Sequence, residues 1–207
     1  MSPMAGLETQ PAPVRSPAPP YPSELECEVI TRDGGSVHLR PIRPEDAAAL
    51  VTFHRGLSRR SVYRRYFFMH TELSADEVTQ FTCVDYVDRV ALVVLDGEQL
   101  IGIGRYNRTP GTTEAEVAFV VADAYQHRGL ATHLLERLAD AAWSHGITTF
   151  VALVLVENRD MLDVFMHAGY PVDTDLEGGT LDLRFSIAPT AATRSARRSH
   201  RSSPLGC

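Results

Sequence analysis

The sequence contains no lysine, because all twenty of its Lys and Arg positions are arginine, and it contains only three cysteines. Cys27, Cys83 and Cys207 have neither metal-ligand spacing nor the even count of a disulfide framework, so we expect no metal site and a reducing, cytoplasmic location. No apolar run approaches the ~20 residues that cross a bilayer, which argues against membrane association. Because no lysine is present, no lysine side chain of this chain can be modified.

Acidic residues outnumber basic residues by 26 to 20, and the balance is uneven along the chain. No acidic residue lies after residue 187, where four of the arginines occur: Arg194, Arg197, Arg198 and Arg201. The remaining body is acidic, so we expect no nucleic-acid partner. The Pro/Ala-rich residues 1–24 and the basic Ser/Arg tail 188–207 are predicted to be disordered, which leaves one folded domain over residues 25–187.

The most informative stretch covers residues 114–146 and predicts a strand, a short turn and a long amphipathic helix. Apolar residues recur at three- and four-residue spacing from Leu130 to Ala142, and Glu136 is among the polar residues expected on the solvent face. The first N–H groups of the helix, near Gly129, have no partner within it and favour an anion such as a pyrophosphate. The loop lacks the further glycines of a dinucleotide fingerprint and the Gly-Lys-Ser/Thr of a Walker loop.

The other segments predict an α+β domain with the element order β-β-α-α-α-β-β-β-α-β-α-β-β and a mixed sheet. Hairpin turns are indicated at residues 33–35 and 96–97, and Ser58 and Ser74 are placed to cap short helices. The apolar strand over residues 149–156 is expected in mid-sheet with both faces covered. A basic patch around the second helix fits either an anionic partner or a solvated surface; it consists of Arg55, Arg59, Arg60, Arg64 and Arg65.

Two blocks resemble the GNAT superfamily of acyl-CoA-dependent N-acyltransferases. One is Gln126-x-x-Gly129-x-Ala131 after an apolar strand, and the other is the segment 158–170, which ends in Gly-Tyr. The resemblance implies a GNAT fold, with a mixed, mostly antiparallel central sheet flanked by helices, and acetyl-CoA as cosubstrate. It also implies a set of acetyl-CoA-binding residues: Phe119, Val120 and Val121 along the pantetheine arm, Gln126, His127, Arg128, Gly129, Leu130, Ala131 and Thr132 around the pyrophosphate, and Asn158 at the pantetheine or its carbonyl.

Direct attack of an amine on a thioester needs a general base, because a lysine amine with a pKa of about 10.4 is protonated at neutral pH. Glu116 matches the strand glutamate that serves as base in the bacterial protein-acetylating branch, and Glu114 on the same strand face is the substitute candidate. An exposed glutamate paired with an arginine is the alternative interpretation of Glu116. Phe165 stands where many members have a tyrosine that protonates the leaving thiolate, which leaves Tyr125 and Tyr170 as candidate donors.

Three further blocks, at residues 37–46, 57–67 and 81–86, resemble the GNAT domain of the bacterial Pat-type protein lysine acetyltransferases. This resemblance implies acetyl transfer to lysines of acyl-CoA synthetases, including acetyl-CoA synthetase, by a monomer or homodimer. Two other functions stay open. An enzyme acting on a small amine predicts a deep acidic pocket built from residues 45–85, and a catalytically idle acyl-CoA sensor predicts coenzyme binding without transfer.

Overall fold

The computed structural model of the chain describes residues 20–191 and 193. These residues form five α-helices: α1 (Ala47–Gly56), α2 (Arg59–Tyr66), α3 (Ala75–Thr82), α4 (Leu130–Ser144) and α5 (Arg159–His167). They also form eight strands: β1 (Cys27–Ile30), β2 (Ser36–Pro41), β3 (Arg89–Asp96), β4 (Gln99–Arg108), β5 (Glu114–Val121), β6 (Thr149–Leu155), β7 (Val172–Glu177) and β8 (Thr180–Ser186). The predicted order of elements is confirmed. No helix in this part of the chain is long and apolar enough to cross a membrane.

The eight strands form one sheet in the order β1-β2-β3-β4-β5-β6-β8-β7. Neighbouring strands are antiparallel except for β5 and β6, which are parallel. The helix α4 connects these two strands, as parallel neighbours require a crossover connection. The predicted mixed, mostly antiparallel sheet flanked by helices is therefore confirmed.

The parallel pair separates soon after it begins. β5 and β6 pair over three positions, from Glu114 opposite Thr149 to Glu116 opposite Val151. Beyond that point β5 continues to Val121 against β4, whereas β6 continues against β8. The two strands thus leave a gap in the middle of the sheet, and beyond Glu116 no strand of the described residues pairs with this edge of β5.

Different helices cover the two faces of the sheet. On one face α4 and α5 pack over a large apolar core that includes Phe119, Leu138 and Phe165. On the other face α1, α2 and α3 pack over a smaller core, to which Leu50 and Val120 belong. Successive residues of β5 therefore point to different cores, which is the alternation expected of a strand.

Two predictions about burial are wrong. β6 lies in mid-sheet as expected, yet Leu153 is 49% exposed, because the smaller core under α1–α3 includes no residue of β6. Glu136 on α4 is only 6% exposed, although the helical pattern places it on the solvent face. α4 packs on α5 as well as on β3, β4 and β5, so more of its circumference is covered than the apolar stripe alone indicates.

Both predicted helix caps are confirmed. The Ser58 hydroxyl accepts a hydrogen bond from the Ser61 N–H at the start of α2. At the start of α3, Ser74 and Glu77 form a reciprocal capping box. These caps satisfy N–H groups that have no partner within their helices, and they fix where each helix begins.

Packed structure begins before the predicted domain boundary at residue 25. The Tyr21 hydroxyl donates to Glu26 Oε1 at 2.6 Å, and its ring lies 4.3 Å from the Arg43 guanidinium. At the other end Thr193 is buried. Residues 1–19 and the arginines of the predicted basic tail lie outside the described residues, so the disorder expected there stays a prediction.

Candidate active site

A cleft of about 410 Å³ opens where β5 and β6 separate. Its walls are β5, β6, the loop that leads into α4 with the first turn of that helix, one side of α5 over its whole length, and one side of α2. The structure brings eleven of the twelve predicted site residues to this cleft: Glu116, Phe119, Val120, Val121, Gln126, His127, Gly129, Leu130, Ala131, Thr132 and Asn158. The exception is Arg128.

The free edge of β5 turns backbone groups toward the cleft. The Ala122 N–H donates to the Ile101 carbonyl on β4 at 2.8 Å. Successive residues of a strand direct their N–H and C=O groups to opposite edges. Val121 and Phe119 therefore direct theirs away from β4, whereas Val120, which lies between them, directs its groups toward β4. The Val121 carbonyl accepts from Gln126 Nε2 at 3.1 Å, which agrees with this alternation. The backbone of Phe119 is thus left for a ligand that pairs like an added strand.

The loop before α4 has the backbone shape of an anion cradle. His127 and Gly129 both have positive φ, at 63° and 87°, and they are separated by a residue that does not. Such alternation makes successive N–H groups converge on one side. Gly129 also directly precedes α4, whose first N–H groups, at Leu130 and beyond, have no partner within the helix. The cradle and the helix dipole both favour a phosphate at this end of the cleft.

Arg128 points away from the cleft, and Arg32 takes its place. The Arg128 guanidinium forms an ion pair with Asp33 at 3.0 Å and donates to the Ala124 carbonyl at 3.1 Å. The turn between β1 and β2 docks on the loop, with the Arg32 N–H donating to the Arg128 carbonyl at 3.1 Å. Arg32 thereby reaches the cleft, with its side chain beside Gly129. Sequence analysis missed Arg32, because no local pattern connects it with a loop so distant in the chain.

A network of short hydrogen bonds joins α2 to the same loop. Asp123 accepts from the Ser58 hydroxyl at 2.6 Å and from the Ser61 hydroxyl at 2.9 Å. Gln126 Nε2 donates to the same Ser61 hydroxyl at 3.1 Å. Burial opposes ionisation of Asp123, but the hydrogen bonds from the serines outweigh it and hold the pKa of this carboxyl below its ordinary value. The Gln126 side chain therefore positions the loop.

Two of the side chains on the α5 wall of the cleft are Asn158 and Phe165. Asn158 is 6% exposed, lies at the start of α5 and forms no helix-capping hydrogen bond with its carboxamide, which lines the cleft. Phe165 packs against Phe119 and Phe185, with ring centroids 5.8 and 5.6 Å apart. The wall thus offers an amide for hydrogen bonding, and the position of the expected tyrosine donor holds a packed hydrocarbon ring.

Glu116 lies where β5 and β6 part, and it is exposed to the cleft. Among the described residues no basic group comes within ion-pair distance of its carboxylate, although the charges of Arg65 and Arg105 are close enough to attract it. Glu114, the alternative base, accepts two hydrogen bonds from Arg184, one of them at 2.9 Å. The arginine-paired surface glutamate of this strand is therefore Glu114.

Neither tyrosine considered as a proton donor presents a free hydroxyl to the cleft. The Tyr125 hydroxyl donates to Asp96 Oδ2 at 2.8 Å, and this bond raises the pKa of Tyr125. Tyr170 is buried, with its ring 5.5 Å from that of Phe185. Neither Tyr125 nor Tyr170 is therefore placed to donate a proton to a group bound in the cleft.

A cleft between parting parallel strands, with an anion cradle at one end and a carboxylate at the other, suits a cosubstrate with a pyrophosphate and a long pantetheine arm. These features define an acyl-CoA-dependent N-acetyltransferase. The family model described as the acetyltransferase (GNAT) domain matches residues 36–171, and the chain belongs to this family. Its members use acetyl-CoA as the acyl donor.

The relatives agree with a Pat-type enzyme. The chain is 31% identical over 152 residues to an acetyltransferase of Pseudomonas aeruginosa, a match that covers 72% of this chain and 82% of the relative. It is 32% identical over 144 residues to acetyltransferase Pat of Mycolicibacterium smegmatis, over 68% of this chain but only 43% of Pat. Among solved structures it is similar to the GNAT domain of S. lividans PAT, with 43% identity, a TM-score of 0.76 and coverage of 81% of this chain and 99% of that one.

Proposed function

We propose that this enzyme transfers the acetyl group of acetyl-CoA to lysine side chains of acyl-CoA synthetases such as acetyl-CoA synthetase. The observation that carries the proposal is the 43% identity to the GNAT domain of S. lividans PAT over 99% of that domain. The position of Glu116 supports it, because a carboxylate with no ion pair faces the cleft at the end opposite the anion cradle.

The chain's own groups hold the donor. The N–H groups of the loop and of the first turn of α4 bind the pyrophosphate, and Arg32 adds a positive charge beside them. The backbone of Phe119 pairs with the pantetheine arm and directs an N–H at the thioester oxygen, where negative charge develops as the amine attacks. The Asn158 carboxamide hydrogen-bonds the pantetheine, which fixes the thioester near Glu116.

Glu116 acts as the general base. A lysine amine arrives mostly protonated, since its pKa is about 10.4, and Glu116 accepts the proton. The neutral nitrogen attacks the thioester carbonyl carbon, a carbon–nitrogen bond forms and the carbon–sulfur bond breaks. The nitrogen, which carries one proton too many after the attack, releases it to solvent. The products are an acetylated lysine and the coenzyme A thiolate, which takes a proton from solvent. Phe165 cannot supply that proton, but a thiol with a pKa of about 8.5 is a fair leaving group without it.

The side chains that form the wall beside Glu116 disfavour a small cationic acceptor. The pocket between α1–α3 and the sheet is lined by apolar side chains together with His54, Tyr66, Arg65 and Arg105, and none of the described residues that line it is acidic. The deep acidic pocket expected for a small amine is therefore not found at this wall in the part of the chain that the structure describes.

Acetyl transfer measured on several acceptors in parallel tests the proposed function. The enzyme is incubated with labelled acetyl-CoA and with acetyl-CoA synthetase, a polyamine or an aminoglycoside, and the modified lysines are located by mass spectrometry. We expect label on a synthetase lysine. Label on small amines alone, or coenzyme binding with no transfer to any acceptor, would contradict the proposal.

Glu116→Gln tests the mechanism. We expect kcat/KM at pH 7 to fall by roughly 10²–10⁴, the usual contribution of a general base, while the Kd for coenzyme A stays unchanged. The matched control is Glu114→Gln on the same strand face, which should keep most of the rate because Glu114 is held by Arg184. A Glu116→Gln enzyme with full activity would remove Glu116 from the mechanism, and a loss confined to Glu114→Gln would transfer the role to Glu114.

A further inference from the structure

Two arginines reach the acceptor wall from different elements. Arg65 lies in α2 and Arg105 in β4, and both line the pocket between α1–α3 and the sheet. Arg65 also lines the acetyl-CoA cleft, and so does Ala118, which belongs to both cavities. Since Ala118 is only two residues from Glu116 on β5, this pocket adjoins the end of the cleft at which the thioester reacts.

Both guanidinium groups are held by aromatic rings and not by carboxylates. The Arg105 guanidinium lies 4.3 Å from the centroid of the Phe81 ring, and that of Arg65 lies 5.1 Å from the Tyr66 ring. Both residues are half-buried. Within residues 20–191 and 193, neither guanidinium has a carboxylate within 4.0 Å or donates a hydrogen bond.

Five other half-buried arginines of the described body form ion pairs, and Arg89 donates to the Gln80 carbonyl; the five are Arg40, Arg43, Arg64, Arg108 and Arg128. Arg40 binds Asp46 at 2.7 Å, and Arg64, the neighbour of Arg65 on α2, binds Asp160 at 3.2 Å. Charges withdrawn from water are normally compensated in this way.

The environment of Arg65 and Arg105 lowers the pKa of both side chains. Desolvation by burial lowers the pKa of Arg65, and desolvation together with the charge of Arg65 lowers the pKa of Arg105 to about 10. Two cations that face one pocket favour the binding of an anion there.

The register of the sheet relates these arginines to the general base. Arg105 lies opposite Ala118, and Glu116 is two residues from Ala118 on the same face of the sheet. Diagonal neighbours of this kind are separated by about 7–8 Å. An acceptor whose amine lies at Glu116 therefore reaches the arginines with a second group about 7–8 Å away.

We propose that Arg65 and Arg105 form an anion subsite of the acceptor site, which binds a carboxylate carried close to the lysine that is acetylated. The proposal rests on the proposed function and deepens it. An acceptor ammonium by itself meets two cations beside Glu116. An acceptor that carries both charges satisfies Glu116 and the two arginines at once, so the site selects lysines with an acidic neighbour.

Paired peptides test this selection. Each peptide contains one lysine and either a glutamate or a glutamine at one position within three residues on either side, and kcat/KM is measured for each pair. We expect at least about a tenfold preference for glutamate at one or more positions, the size expected of a charge-assisted hydrogen bond. A small amine with a carboxylate, 6-aminohexanoate, is compared with its amide in the same assay to distinguish a peptide carboxylate from that of a free amino acid.

Arg105→Met removes the charge and keeps a side chain that can pack on Phe81. We expect the ratio of the rates on the glutamate and glutamine peptides to fall close to one. A merely structural role would lower both rates alike and leave this ratio unchanged. Arg65→Met is the second variant, in case one replacement impairs folding. Arg60→Gln is the matched control, because it removes an exposed charge from the same helix as Arg65 and should leave the preference unchanged.

The outcomes separate the two proposals. Equal rates on glutamate and glutamine peptides overturn the subsite and leave lysine acetylation standing. A preference that survives in both methionine variants also overturns it. A preference for 6-aminohexanoate over its amide, without transfer to peptides or to the synthetase, supports the subsite and overturns the protein substrate. No transfer to any acceptor overturns both.

Discussion

Replacing Gly129 with alanine perturbs the anion cradle at its most constrained position. Gly129 has a φ of 87° and directly precedes α4. An L residue in the left-handed conformation costs roughly 1–2 kcal/mol. The added methyl group would meet only ordinary contacts, because the nearest atoms belong to Arg32 at 3.5 Å. The penalty in Gly129→Ala is therefore conformational, and it acts on the N–H groups proposed to hold the pyrophosphate.

Two effects of Gly129→Ala follow from this geometry. The Tm should fall by roughly 2–8 °C, since each kcal/mol shifts a domain of this size by about 2–4 °C. If the loop relieves the strain by rotating φ to negative values, the N–H groups of residue 129 and Leu130 turn away from the phosphates. A hydrogen bond to a charged group contributes about 1.5–3 kcal/mol, so the Kd for coenzyme A should rise roughly tenfold or more.

Calorimetric titration with coenzyme A measures the second effect, and Gly111→Ala separates it from the first. Gly111 has a similar φ of 75°, no atom lies within 4 Å of the position of its added Cβ, and it belongs to the turn at the far end of β5. Gly111→Ala should lose comparable stability and bind coenzyme A like the parent. If Gly129→Ala loses stability but binds coenzyme A as tightly as the parent, the phosphates are not held by this loop.

Two further predictions concern charged side chains. Arg32→Ala should raise the KM for acetyl-CoA about fivefold and leave kcat unchanged, because an exposed ion pair contributes about 1 kcal/mol. The control is Arg55→Ala, which removes another exposed arginine. An unaltered KM in Arg32→Ala would contradict a contact between Arg32 and a phosphate. Asp46→Asn should cost about 3 kcal/mol of unfolding free energy at pH 7, because it leaves the half-buried Arg40 unpaired. Burial opposes ionisation of Asp46, but the hydrogen bonds from Arg40 outweigh it and lower the pKa of Asp46. The stability that the ion pair contributes is therefore present above the ordinary aspartate pKa of about 3.9, and it is lost as the pH falls through the lowered pKa of Asp46. Denaturant unfolding of both proteins at pH 7, 5 and 3 should therefore show a gap that closes only below about pH 4, and a gap that closes already at pH 5 contradicts this account.

Local sequence patterns predicted most elements, because their signals lie within a few residues of one another. The strands β1 and β2 pair on either side of the predicted hairpin turn at residues 33–35, and Ser74 caps α3 through the expected reciprocal bonds. Gly129 lies directly before α4, as the loop pattern indicated.

Contacts between distant segments were beyond local patterns. Within the loop motif Arg128 is the obvious phosphate ligand by charge, yet Asp33 in the β1–β2 turn captures its guanidinium. The same turn brings Arg32 into the cleft. Likewise, Arg105 alternates with apolar residues in the sequence, a pattern typical of a solvent-exposed strand position. In the structure, Phe81 of α3 covers the Arg105 guanidinium. In each case the side chain that holds the arginine lies on another element, and the order of the strands in the sheet brings the two together.

The parting of β5 and β6 after Glu116 links the donor and acceptor halves of the site. Because pairing ends there, the backbone of Phe119 is free for the pantetheine arm, and the same break exposes the Glu116 carboxylate at the point where the arm must end. The opposite edge of β5 stays paired with β4, which holds Arg105 at a fixed diagonal from that carboxylate. In the proposed mechanism, donor binding, proton transfer and acceptor choice therefore all depend on one strand, whose two edges serve different substrates.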